Sequence, residues 1–294
     1  MECMQPRRAA TPLGPVEFAE FGQGPAVLSL HGALGGWDQG IILARALEAP
    51  GFRFIAPSRP GYLGTPLSSG ASPEAQADLC AGLLDALGLQ DALVLAISGG
   101  GPCAQQFALR HRERCRGLAL VSTIGVANAA GPPPAFRVMT WLARIPWILA
   151  AMRRKALANL DRAATRSFPD EKQRARVLGD PGTRALYAAL RETIFERMPG
   201  RMAGTWNDVA VARALSVPLE RIRVPVLLAH GEQDPIAPYA SQAGALASRI
   251  PGAELLTLER GGHAALFSHR DAIRARFGRF FLEHASLDPA AGRH

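Results

Sequence analysis

Leu93-Val94-Leu95-Ala96-Ile97-Ser98-Gly99-Gly100-Gly101-Pro102 is the stretch on which the reading of this chain turns. Its apolar run suits a strand buried on both faces, and Pro102 sits where the first turn of a helix would begin. A strand that stops at Ser98 and becomes a helix so abruptly must hold the serine in a left-handed conformation, with its hydroxyl raised above the sheet edge. The residues two before and two after must be small for strand and helix to approach, and they are Ala96 and Gly100. No Gly-Lys-Ser/Thr follows, which disfavours a phosphate loop.

Working outward, the same punctuation recurs. Val16–Phe21 alternates and closes at Gly22; Ala26–Leu30, Phe52–Ala56, Gly117–Val121, Pro225–Ala229 and Glu254–Leu258 read as further strands. Between them, Ser72-Pro73 opens a helix that ends at Gly88, a second helix runs from about Pro102 to His111, and a last one covers Ala272–Glu283. Strands alternating with helices predict an α/β fold, a mostly parallel sheet covered on both sides. The alternation stops at Ala129-Ala130-Gly131-Pro132-Pro133-Pro134. From Phe136 to about Leu219 the chain is helical and Arg-rich, broken at Pro146, Pro169, Pro181 and Pro199. The predicted organisation is therefore a core of residues 1–130 and 222–294, interrupted by a helical cap (lid) insertion of residues 131–221.

A serine hydroxyl is a poor nucleophile without a base, and the base needs a carboxylate to orient it. Both occur at the ends of later strands. His230-Gly231-Glu232-Gln233-Asp234 follows the Pro225–Ala229 strand, and Glu259-Arg260-Gly261-Gly262-His263 follows Glu254–Leu258. Asp234 and His263 therefore fall on the carboxyl edge of the sheet, where open α/β sheets collect their ligands. Glu232 is the alternative carboxylate and His269 the alternative base. Backbone amides would stabilise an oxyanion: Gly99, directly after the serine, and Ala33 in the loop His31-Gly32-Ala33-Leu34-Gly35-Gly36, with Leu34 able to take its place. His31 is read as a brace for that loop. In the insertion, Trp141, Trp147 and Trp206, with Leu34 from the core, are candidates to line an apolar acyl pocket, although helical aromatics also serve as a lobe's own core.

From about Val16 to His284 the sequence resembles the α/β-hydrolase superfamily, in its cap-bearing branch. The resemblance rests on His31-Gly32, Arg59-Pro60-Gly61-Tyr62-Leu63-Gly64, the Ser98 elbow, His230-Gly231-x-x-Asp234 and Gly262-His263. It implies a serine hydrolase (esterase, lipase or lactonase) with a Ser98–His263–Asp234 triad and no metal or organic cofactor. Family members with an aspartate nucleophile are set aside by Ser98. C–C bond hydrolases usually carry Trp after the histidine, where Ala264 stands here; cofactor-free haloperoxidases commonly have Met where Gly99 stands. C–C hydrolysis, acyl transfer or perhydrolysis by the same residues is the alternative reading, and a non-catalytic ligand receptor the third. The expected partner is a small ester or lactone with a hydrophobic acyl group.

Composition narrows the setting. The 294 residues are 48% hydrophobic and 20% charged, which excludes disorder. The net charge of +8 would suit nucleic acid, but it is concentrated in Phe136–Arg221, with 16 Lys and Arg against 8 Asp and Glu, and no nucleic-acid motif accompanies it. Cys3, Cys80, Cys103 and Cys115 are scattered, without disulfide or metal spacing. Met1–Pro15 has no apolar run behind Arg7 and Arg8, and the apolar Val138–Met152 is too short to span a bilayer. A cytoplasmic protein without stable membrane association is expected, and a homodimer is an allowed assembly.

Overall fold

A computed structural model describes residues 4–128 and 134–285. The glycine–proline junction after Asn128 and Cys3 lie outside the described residues. Among the described residues, eight strands form one sheet: β1 (Arg7–Thr11), β2 (Gly14–Phe21), β3 (Ala26–Leu30), β4 (Arg53–Pro57), β5 (Ala92–Ile97), β6 (Cys115–Val121), β7 (Val226–Gly231) and β8 (Glu254–Leu258). Their order is β1-β2-β4-β3-β5-β6-β7-β8. The first two strands pair antiparallel, β2 is antiparallel to β4, and all others are parallel. Every residue of β3 and β7 is buried, as their continuous apolar runs require of strands covered on both faces.

β1 is the strand that sequence pattern does not announce. Arg-Arg-Ala-Ala-Thr has little β propensity, and the strand exists through its partner. Arg7 pairs with Glu20 and lies 5.2 Å over the Phe18 ring. Charged residues on such an edge also discourage pairing with another chain.

The core helices are α1 (Trp37–Leu47), α2 (Pro73–Ala86) and α3 (Gly101–Arg110) before the insertion. Among the described residues, six helices form the cap: α4 (Pro134–Leu142), α5 (Pro146–Leu157), α6 (Leu160–Ser167), α7 (Glu171–Gly179), α8 (Pro181–Phe195) and α9 (Met202–Ala214). After it come α10 (Ala243–Arg249), α11 (Ala265–Ser268) and α12 (Arg270–His284). The cap's prolines act as punctuation. Pro146 and Pro181 start helices, where a missing N–H costs nothing, and the Asp180 side chain caps α8 by accepting the Thr183 amide. Ser72 caps α2 in the same way, through the Ala75 amide at 3.2 Å.

Two apolar layers flank the sheet, one under α2 and α3 and one under α1 and α12. The second continues into the cap: Phe168 and Tyr187 stack edge-on at 5.1 Å, and Tyr187 meets Phe267 of α11 at 5.8 Å. Among the described residues no helix is long and apolar enough to cross a membrane.

Candidate active site

The elbow at the end of β5 has the expected strain. Ser98 has φ +50°, and a short 3-10 turn carries the chain into α3. The turn survives because its neighbours are small. A Cβ on Gly100 would lie 2.7 Å from the Leu30 carbonyl oxygen, and one on Gly32 would lie 2.9 Å from Ser98 Cβ. Ala96 is wholly buried between Leu30 and Leu120 of the adjoining strands. Ser98 itself is half-buried.

Three side chains from three strand ends meet there. His263 Nε2 is 3.0 Å from Ser98 Oγ, and His263 Nδ1 is 2.8 Å from Asp234 Oδ2. The Asp234 Oδ1 accepts the amides of Ile236 and Ala237, each at 2.9 Å. Burial pushes the Asp234 carboxyl up, but the His263 hydrogen bond and charge and the two amides outweigh it and hold it below the ordinary aspartate value. The loops carrying Asp234 and His263 are laced together, with the Gln233 amide donating to Gly261 O at 2.8 Å.

The alternative groups are placed elsewhere. Glu232 accepts the Arg260 amide at 3.0 Å, and His269 bonds Ser268 Oγ and Glu259 O. His230 faces Asp234 Oδ2 at 3.5 Å, but its Nε2 lies closer, at 2.7 Å, to the Ala237 carbonyl. It braces the carboxylate's loop.

His31 braces the facing loop. Its Nε2 accepts the Arg59 amide at 3.0 Å, so Nδ1 carries the proton and donates to Gly32 O at 2.7 Å. That bond orients the Gly32–Ala33 peptide, whose amide belongs to exposed Ala33. A Cβ on Gly99 would lie 3.5 Å from Ala33 N, so the two candidate amides adjoin. The Leu34 amide is committed to Thr205 Oγ1 at 3.1 Å.

Of the candidate pocket residues, Leu34 and Trp206 join a cluster with Phe136, Met139, Met198 and Met202. Trp141 and Trp147 stand outside it, 63% and 73% exposed. Helical spacing does not specify which face of a cap helix turns inward, and these two turn to solvent. Sequence reasoning also missed a buried ion pair. Arg59 grips Asp208 of α9 through both oxygens, at 2.8 and 2.6 Å, and Tyr62 donates to the same carboxylate at 2.5 Å. Asp208 is the single acid of α9, in an Arg-rich insertion, and nothing in the sequence marks its partner. Among the described residues no group of three His, Cys, Asp or Glu side chains is placed to hold a metal.

Three histidines make stability pH-dependent. Burial lowers His31, His230 and His269 below the ordinary 6.5, and the Arg59 charge adds to the effect at His31. Burial makes them harder to protonate in the native state than in the unfolded chain, which takes up protons through that value, so stability is present above it and lost as pH falls. The urea midpoint is expected to be lower at about pH 5.5 than at about pH 7.5; equal midpoints would contradict the linkage.

A family model described as alpha/beta hydrolase fold matches residues 25–270. A pimeloyl-(acyl-carrier protein) methyl ester esterase of Chromobacterium violaceum is 32% identical over 264 residues, covering 87% of this chain and 94% of that protein. A 2-hydroxymuconate semialdehyde hydrolase of Pseudomonas putida is 29% identical over 240 residues, covering 80% of this chain and 79% of its own. Among solved structures, an alpha/beta hydrolase fold protein from Nakamurella multipartita superimposes with TM-score 0.82 at 32% identity, covering 94% of this chain and 98% of that one.

Proposed function

The chain belongs to the alpha/beta hydrolase fold family, and from that membership we propose that it cleaves carboxylic esters or lactones through an acyl enzyme on Ser98. The observation that carries this reading is the unbroken line Ser98 Oγ, His263, Asp234, at 3.0 and 2.8 Å. Ser98 Oγ attacks the carbonyl carbon while its proton passes to His263 Nε2. Asp234 holds Nδ1–H and stabilises the imidazolium. The tetrahedral oxyanion rests on the amides of Gly99 and Ala33. Gly99, in the first turn after the strand, has no intrahelical acceptor for its N–H, and losing one such donor typically costs about 2.7–4 kcal/mol of barrier. The alkoxide leaves with the proton from His263, and water, deprotonated by the same imidazole, releases the acid.

The cluster of Leu34 from the core loop with Phe136 and Trp206 from the cap favours an apolar acyl group on the substrate. Cys80, Cys103 and Cys115 are buried free thiols, which supports a reducing, cytoplasmic setting. The test is a panel of p-nitrophenyl esters and lactones, with mass spectrometry of the protein during turnover. Hydrolysis with an acyl adduct on the Ser98 peptide is expected. Turnover of the panel without an adduct on that peptide, or no turnover at all, would overturn the reading.

A further inference from the structure

The loop that carries the Ala33 amide is held peptide by peptide. His31 O accepts Arg59 Nε at 2.9 Å, and Gly32 O accepts His31 Nδ1 at 2.7 Å. The Leu34 amide donates to Thr205 Oγ1 at 3.1 Å, Leu34 O accepts Gln39 Nε2 at 3.0 Å, and Gly35 O accepts Arg201 Nη1 at 2.7 Å. Each consecutive peptide group from 31–32 to 35–36 thus has a side chain on it. Such anchoring is needed, because Leu34 sits in the left-handed region at φ +57° and would relax if released.

Much of this anchoring comes from the cap. Arg201, Thr205 and Asp208 follow one another at helical spacing of four and three, so they share one face of α9 and the turn before it. All three are buried, at 0%, 2% and 9% exposure. Arg201 and Thr205 touch the loop directly, and Asp208 acts through Arg59. Backbone bonds dock the same segment: the Leu63 amide donates to Gly200 O at 2.6 Å and the Gly204 amide to Gly61 O at 2.8 Å. Thr205 Oγ1 donates its own proton to Arg201 O at 2.8 Å, which leaves its lone pairs for Leu34.

We propose that α9 belongs to the catalytic frame and is not merely a cover, and that Thr205 is a positioning residue for the oxyanion amides. By accepting the Leu34 amide it fixes the 33–34 peptide and removes that donor from the loop's alternatives. The Ala33 N–H then remains as the donor opposite Gly99. This inference rests on the serine-hydrolase reading above.

The test compares Thr205→Val, which keeps the shape and removes the acceptor, with Thr205→Ala and Thr205→Ser. Each is assayed for kcat and KM on a p-nitrophenyl ester, for affinity toward a trifluoromethyl ketone that forms a tetrahedral adduct, and for thermal midpoint. Thr205→Val and Thr205→Ala are expected to lose kcat by roughly 10–100-fold with KM within about twofold, and to lose ketone affinity by the same factor. Thr205→Ser should stay within about threefold of the parent in kcat, since it retains the acceptor. Unchanged kcat in both Val and Ala, or a loss that Ser does not restore, overturns the inference. The parent protein's labelling by a fluorophosphonate is the separate check: absence of label would overturn the serine reading instead.

Discussion

Ser98→Ala is expected to lose ester turnover by roughly 10⁶-fold and to lose all labelling by a fluorophosphonate. The size follows from what remains. Amides and binding surface still stabilise a tetrahedral carbonyl, but His263 has no hydroxyl within 3.0 Å to deprotonate, so no acyl enzyme forms. Alanine deletes one oxygen from a half-buried position, so the fold should be kept. Ser98→Gly sharpens the result. At φ +50° a side chain is strained, and glycine relieves that strain, so this variant should be equally inactive yet more stable by up to about 1 kcal/mol. Thermal melting beside the activity assay separates the two effects. Undiminished turnover in either variant would remove Ser98 from the chemistry.

Asp234→Asn is expected to reduce kcat on the order of 10⁴-fold with the fold intact. The local geometry dictates which way the new amide must face. Oδ1 of Asp234 accepts the Ile236 and Ala237 amides, so asparagine has to place its carbonyl oxygen there. Its NH₂ then points at His263 Nδ1, which must accept rather than donate. The proton moves to Nε2, and the imidazole can no longer take one from Ser98. Nitrogen NMR of labelled histidine would show the exchanged tautomer. An Asn variant with parental kcat would mean that the 2.8 Å contact to His263 is structural only.

What the sequence makes legible is local. Ser98, Asp234 and His263 each end an apolar strand, and the rule that parallel strands bring their carboxyl ends to one edge converts that pattern into proximity. Helix caps such as Ser72 were legible for the same reason, since donor and acceptor lie three residues apart. β1 was not, because Arg7–Thr11 becomes a strand only by pairing with Val16 and its neighbours. The cap's tryptophans were not either: periodicity marks a helix but does not say which face its neighbours will cover.

Sequence alone therefore determined the α/β core, the helical insertion and which three side chains meet at the carboxyl edge, because burial patterns and strand ends are properties of short segments. Tertiary structure alone decided that the insertion's last helix grips the loop beside Ser98. The Arg59–Asp208 pair closes across 149 positions, and Thr205 meets Leu34 across 171. Contacts that distant are set by how the two lobes pack, and no spacing in the chain encodes them.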